Sequence, residues 1–298
     1  MKIGIDLGGS HIAIGLVEEE KILKKIEYNF TEQDKNNLEE IIKKIIKNAF
    51  STIFENVSLT EITMVGISVP GRTKDGCIKE AANIKAKNIN IVKMVEEILD
   101  KPVYIMNDGM CAGIAEKEYG SLKNYRNGVF LGLGTGVGTA VFIKNKLVPE
   151  VRSAGHMIIE KNGRKCNCGK NGCYETYASM KALKTMLRQR LGQENLSSKE
   201  ILEELKNPEK IVQVEDIIKE YIEYVAIGVS NFARMCSAQV IVIGGSFVHY
   251  KDILFNPLLK ELDRIMIPME KEMVDIKLAT LGNDAGIIGA TKIDKYSD

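Results

Sequence analysis

Apolar residues begin at the second position and alternate with glycine and single polar residues. KIGIDLGGSHIAIGLVEEEKILKKIEY reads as strand, glycine turn, strand, polar turn, strand. The period then lengthens. In TEQDKNNLEEIIKKIIKNAFSTIF the apolar positions Leu38, Ile41, Ile42, Ile45, Ile46 and Ala49 fall at helical spacing behind Thr31, a candidate N-cap. EITMVGISVPG predicts a buried strand stopped by Pro70-Gly71, Ile91–Leu99 a helix, PVYIMND another buried strand, and GMCAGIAEKEYG a helix. Strands and helices that alternate in this way predict an α/β fold.

A second block repeats the pattern of the first. NGVFLGLGTGVGTAVFIKNKLV is again apolar strand, glycine turn, apolar strand, polar turn and short strand, with Gly134-Thr135-Gly136 opposite Gly8-Gly9-Ser10. The interval is far longer than a solenoid repeat. It predicts two related domains facing each other across a cleft. The C-terminal half is mostly helical: a long helical pattern over about 214–235 feeds QVIVIGGSF, a strand ended by Gly244-Gly245, and the chain closes with strand VDIKLATL and helix DAGIIGATKI. LGQENLSS is the most loop-like stretch.

Composition narrows the function classes. The 298 residues carry a formal charge of +1, with 45% hydrophobic and 27% charged residues, which gives no electrostatic case for a nucleic-acid partner. No apolar run approaches the roughly 20 residues of a membrane helix, and the N-terminus lacks the layout of a signal peptide. The expectation is a cytoplasmic protein, in which clustered cysteines bind metal more often than they pair as disulfides.

Glycines between apolar strands let the backbone turn sharply and bring its N–H groups to a ligand, and phosphate oxygens suit such a concavity. The plain alternative is a tight hairpin; two such turns, each beside a Ser or Thr hydroxyl, favour phosphate. Neither a P-loop nor a dinucleotide fingerprint is present, and Gly134–Gly138 runs into a strand rather than a helix. Asp6, at a strand end beside the first turn, is placed to hold a Mg²⁺ that carries nucleotide phosphates. Asp108 stands between an apolar strand and a helix. It reads either as an N-cap or as a general base that takes a hydroxyl proton during attack on a γ-phosphate.

Half of the six cysteines lie in one polar loop, GHMIIEKNGRKCNCGKNGCYE. Cys166, Cys168 and Cys173, with His156 upstream, make the ligand set of a closed, tetrahedral, structural Zn²⁺. Gly169 and Gly172 allow the tight turns that would converge them. The alternative is three unconnected loop cysteines. Cys77, Cys111 and Cys236 read as ordinary small core or near-core residues, and His249 as a surface residue.

These motifs together resemble the ROK family of sugar kinases, within the hexokinase, actin and Hsp70-like ATPase superfamily, over essentially the whole chain. GIDLGGSH is similar to the family's first phosphate motif, with Ser10 and His11 where Thr and Lys are usual, and LGLGTGVGTAV to the second. IMNDGMCAGIAE resembles the segment that carries the catalytic base, which falls on Asp108. VIVIGGSF resembles the adenosine motif, and DAGIIGAT the closing helix that packs on the N-terminal domain. The cysteine loop matches the family pattern G-H…C-x-C-G-x-x-G-C-x-E residue for residue.

The resemblance implies two actin-like (ribonuclease H-like) ATPase domains. The first is 1–108 completed by the helix 283–298; the second, larger one is 109–282, with the zinc loop and dimerisation helices. It implies a glucokinase-like, ATP-dependent phosphorylation of a hexose or hexosamine at its primary hydroxyl, with structural Zn²⁺, Mg²⁺ with ATP, and a homodimer. Sugar contacts would fall on Asn83, Asn107, Asp108, Ser153, His156 and Glu175. Nucleotide contacts would fall on Asp6, Gly8, Gly9, Ser10, His11, Gly134, Thr135, Gly136, Gly244 and Gly245. Two departures touch the sugar: Ser153 stands where the family has a sugar-bonding Glu, and the Trp usual near Asn83 is missing, as the chain has none. The alternatives are a ROK regulator or scaffold that binds sugar without turnover, and a kinase using polyphosphate or an amino sugar. A regulator needs a DNA-binding segment ahead of a phosphate motif that here begins at residue 3.

Overall fold

The computed structural model describes residues 1–52, 55, 57–81, 84–197 and 199–297. The chain forms two compact units, Met1–Lys123 with Leu281–Asp298, and Asn124–Thr280.

In the first unit, strands β1 (Lys2–Leu7), β2 (His11–Glu18), β3 (Lys21–Asn29), β4 (Val65–Val69) and β8 (Val103–Asn107) form one sheet in the order β3-β2-β1-β4-β8. β1 pairs antiparallel with β2 but parallel with β4, and β4 parallel with β8. Val65–Val69 is buried throughout, as a strand covered on both faces requires. Between β4 and β8 the chain makes a small antiparallel sheet of β5 (Arg72–Lys74), β6 (Cys77–Ala81) and β7 (Ala86–Ile89), which the hydrophobic pattern does not announce. Its strands are short and half exposed.

The helix expected behind Thr31 is two helices. Thr31 caps α1 (Glu32–Asn36) through a reciprocal capping box with Asp34, and the chain breaks at Asn37 before α2 (Leu38–Thr52). Asn37 takes φ −133° and ψ 45°, outside the helical region, so the apolar stripe begins afresh at Leu38. The last two residues of the expected segment, 53 and 54, lie outside the described residues. α3 (Ile91–Leu99) and α4 (Asp108–Glu118) fall where the sequence puts them. After the second unit the chain returns as α11 (Ala285–Ala290) and α12 (Ile293–Tyr296). α11 lies almost backbone to backbone on the sheet and on α4: a Cβ at Gly66 would overlap the Ala290 carbonyl, and one at Gly289 the Cys111 carbonyl.

The second unit rebuilds the first sheet. β9 (Gly128–Leu133), β10 (Val137–Ile143), β11 (Lys146–Leu147), β12 (Val240–Gly244) and β13 (Asp275–Leu278) run in the order β11-β10-β9-β12-β13, with the same alternation of antiparallel and parallel pairs. The repeat read from the glycine turns is therefore a repeat of topology. Helices α5 (Glu175–Ala178), α6 (Met180–Leu191), α7 (Glu200–Glu203), α8 (Pro208–Cys236), α9 (Asn256–Ile265) and α10 (Pro268–Met273) accompany this sheet. α8 starts earlier than its apolar pattern, at a cap formed by Asn207, whose side chain accepts from the Glu209 N–H at 3.0 Å, followed by Pro208 at the first turn. Its inner side, with Tyr221 and Val225, joins a core with Tyr174, Leu183, Leu187 and Phe247.

The division between units falls at residues 123/124 rather than at 108/109. α4 belongs to the first unit because α11 seals against it. Glu116 on α4 is fully buried and accepts from the Ser121 N–H at 2.7 Å and the Leu281 N–H at 2.9 Å, which fixes the return of the chain. No described helix is long and apolar enough to cross a membrane.

Candidate functional site

In the first unit the carboxyl ends of the parallel strands β1, β4 and β8 come side by side, with Asp6 paired in register to Ser68 and Val69 to Asn107. Ligands of open α/β sheets gather at this edge because loops and helix N-termini converge there. Asp6 accepts a hydrogen bond from the Ser68 hydroxyl at 2.6 Å, and Gly286 at the start of α11 rests against its carboxylate with no room for a Cβ. Burial pushes the Asp6 carboxyl up, and only Ser68 and, at longer range, His11 and Lys25 pull it back. Ser68 is fully buried, a hydroxyl in an otherwise apolar strand. It was open to view in GISVPG as the single polar residue of that run.

Asn107, not Asp108, caps α4: its side chain accepts from the Gly109 N–H at 3.0 Å and donates to the Gly71 carbonyl at 3.3 Å. Asp108 is the first helical residue, with one carboxylate oxygen 2.8 Å from the same Gly109 N–H. It is solvent-accessible, yet protein crowds it closely enough that desolvation raises its carboxyl to about 6, with the Asp6 charge adding to the rise. Asp6, a buried carboxylate whose one side-chain hydrogen bond comes from Ser68, is an oxygen donor of the kind that would suit a Mg²⁺.

The first glycine turn closes with the Gly8 N–H donating to the His11 carbonyl at 2.8 Å, while the His11 ring packs over Gly8. Ser10 is exposed on this turn, and its carbonyl accepts from the Phe30 N–H at 2.8 Å. Asn83 lies outside the described residues.

In the second unit the same sheet edge carries Gly134–Gly136 and the Gly244-Gly245 pair. Gly245, at φ 74°, sits against the Leu133 backbone, next to the glycine turn. Thr135 is exposed at the tip of that turn. Ser153 is exposed too, at a kink (φ −101°, ψ 16°) in the 3₁₀ run Pro149–His156.

That run leads into the cysteine loop. Ligand atoms of His156, Cys166, Cys168 and Cys173 all lie within 4.8 Å of one another. Cys166 Sγ is 3.5 Å from His156 Nδ1, and Cys168 Sγ is 3.5 Å from Cys173 Sγ. Metal–ligand bonds of about 2.0–2.3 Å place tetrahedral ligand atoms about 3.3–3.8 Å apart; two pairs lie at that spacing and all four groups within 4.8 Å, a donor set whose chemistry suits a zinc ion. Gly169 (φ 85°) and Gly172 (φ 77°) make the two turns that converge the sulfurs, and a Cβ at Gly172 would overlap the Glu160 carbonyl. Burial pushes the Cys173 thiol up to about 12, whereas the Lys170 backbone N–H draws the Cys168 thiol down. A zinc ion would displace these protons as it binds.

Arg164 ties the loop to the helices. Its N–H donates to the Tyr177 hydroxyl at 2.6 Å, its guanidinium donates to the Thr176 carbonyl at 3.2 Å and to Glu220 at 3.0 Å, and it stacks 4.4 Å over the Tyr177 ring. Glu175 follows two residues after Cys173, and its Oε2 accepts from the Val137 N–H at 3.0 Å. The structure thus joins the loop to the second glycine turn. The remaining thiols behave as expected: Cys111 is buried, and Cys77 and Cys236 are partly so. His249 is exposed.

Known proteins share this architecture. A glucokinase from Thermotoga maritima is 28% identical over 98% of this chain and 96% of its own length. A xylose repressor from Bacillus subtilis is 27% identical over 98% of this chain and 76% of its own. The crystal structure of a ROK family glucokinase from Streptomyces griseus, in complex with glucose and AMPPNP, superposes with a TM-score of 0.81 at 26% identity, covering 98% of both chains. The ROK family model matches residues 2–296, and the chain belongs to the ROK family.

Proposed function

We propose that the chain is an ATP-dependent kinase that phosphorylates the primary hydroxyl of a hexose or hexosamine. The state of Asp108 carries this reading. Asn107 holds the cap position and shares the Gly109 N–H with one Asp108 oxygen, so the other Asp108 oxygen is left for substrate, and a carboxyl raised to about 6 is a competent proton acceptor near neutral pH. A structural cap has no such requirement. In the proposed reaction Asp108 accepts the proton of the sugar hydroxyl and orients its oxygen toward the γ-phosphate. Asp6 and the N–H groups of the first turn hold the phosphate end of the nucleotide; Mg²⁺ would supply the neutralising charge there. In the second unit, Gly134–Gly136 would take phosphate oxygens and Gly244-Gly245 the adenosine. Sugar hydroxyls fall to Asn83, Asn107, Ser153, His156 and Glu175. A zinc held by His156 and the three cysteines is structural, because protein fills all four positions.

The similarity to a xylose repressor supports a second reading, a sugar-binding regulator without turnover. One assay separates the two. Purified protein is incubated with ATP, Mg²⁺ and a panel of hexoses and hexosamines, and ADP release is followed. The kinase reading expects sugar-dependent ADP formation with at least one member. Sugar binding without ADP release, and without sugar phosphate formed from polyphosphate, establishes the regulator reading instead.

A further inference from the structure

The second glycine turn has few donors left for a phosphate. The Gly134 N–H is taken by the Gly136 carbonyl at 3.0 Å, and the Gly134 carbonyl accepts from the Lys181 N–H at 3.2 Å. Glu175 Oε2 holds the Val137 N–H at 3.0 Å and lies so close to Gly136 that a Cβ there would overlap it. On the other side, Gly155 packs against the Val137 carbonyl, again with no space for a Cβ. The N–H groups of Thr135 and Gly136 alone remain without a protein acceptor among the described residues of the turn. The Glu175 carboxylate therefore lies against Gly136, one of the two residues whose N–H groups would bind phosphate. Glu175 Oε1 takes no hydrogen bond from a described residue.

We propose that Glu175 is a charge gate on this turn: until a sugar hydroxyl donates to its free oxygen, its carboxylate opposes the nucleotide phosphates at Thr135 and Gly136. This inference rests on the kinase reading, and within it gives one side chain a hold on both substrates. A hydroxyl that donates to Oε1 draws electron density from the carboxylate and weakens its field at the turn, so nucleotide affinity rises when sugar is present. The purpose is economy of ATP: with no hydroxyl to accept the phosphoryl group, the nucleotide is held weakly and water has less chance to attack it. Glu175 follows Cys173 by two residues and Gly155 adjoins His156, so the surroundings of the charge belong to the cysteine loop.

The test is calorimetric titration of the zinc-loaded protein with Mg²⁺·AMPPNP, first without sugar and then with saturating glucose. Glu175→Gln keeps the acceptor for the Val137 N–H and removes the charge. Without sugar it is expected to bind AMPPNP about 3–10-fold more tightly than wild type, the size of a single charge acting across several ångströms of partly screened space. Glucose should tighten binding in wild type and leave the variant nearly unchanged. Equal or weaker binding by Glu175→Gln in the absence of sugar overturns the gate. Should that variant lose its metal, Glu175→Asp withdraws the charge by one methylene and is expected to bind AMPPNP more tightly than wild type; affinity at or below wild type overturns the gate there too. Failure of the kinase reading is separate and shows in wild type alone, as no AMPPNP binding under any condition.

Discussion

Asp108 reads from the sequence either as a cap or as a base, and the structure gives the cap position to Asn107. Both stand at a strand-to-helix junction, where a cap and a catalytic base carry the same residue type. Which one caps depends on a difference of one position in where the helix begins, and Asn107 in the cap position also donates its amide to the Gly71 carbonyl. The consequence is testable through pH. Asp108 must be ionised to accept a proton, and with its carboxyl raised to about 6 the rate constant kcat/KM should be level above pH 7 and fall tenfold per unit below about 6. A profile level down to pH 5 would assign the base elsewhere. The same shift has a sign for stability. The folded state binds this proton more tightly than the unfolded chain, so its contribution is present below the ordinary value of 3.8 and is lost as pH rises through about 6. Ser153 belongs to this scale as well. On the kinase reading its hydroxyl stands where the family resemblance places a charged acceptor, worth about 1.5–3 kcal/mol. Glucose should accordingly bind about ten- to a hundredfold more weakly than in a relative that has Glu there. Ser153→Glu is expected to recover affinity for glucose by titration; an unchanged affinity removes Ser153 from the sugar site.

Among the elements, the cysteine loop was the most legible, because metal ligation demands particular side chains at short spacing and leaves a mark that packing does not erase. The His156, Cys166, Cys168 and Cys173 cluster fits those demands within 4.8 Å. Its tie to the glycine turn through Glu175 and Val137 could not be read in advance, since the two residues are far apart in sequence and neither spacing nor composition marks the pair. Cys168→Ser should lower bound zinc from one per chain to none by elemental analysis. Sugar affinity should fall with it, as the loop no longer holds Glu175. Protein purified without chelator and free of zinc would contradict the structural site. The helices were legible in kind and less so in extent. The break at Asn37 and the early start of α8 depend on local capping rather than on apolar period. The small sheet β5-β6-β7 escaped notice because its strands are short and amphipathic only over two or three positions.

For the molecule as a whole, the duplicated glycine turns gave away a duplicated topology: two five-stranded sheets with the same order and sense. The repeat was visible because both copies keep an apolar strand on each side of glycine. The division between the units was not, because α4 is held to the first unit by α11, which arrives from the far end of the chain. Packing partners so distant in sequence leave no local trace. On the kinase reading, this ROK protein transfers phosphate with Asp108 as base. The most direct measurement is sugar-dependent ADP formation by wild type and Asp108→Asn side by side, with AMPPNP and sugar binding followed in both. Asn keeps the shape and removes the proton acceptor, so turnover should fall by about 10²–10⁴-fold while both ligands still bind and zinc is retained. A variant that keeps more than about a tenth of the wild-type rate would contradict the account, because no other residue is assigned to receive the proton.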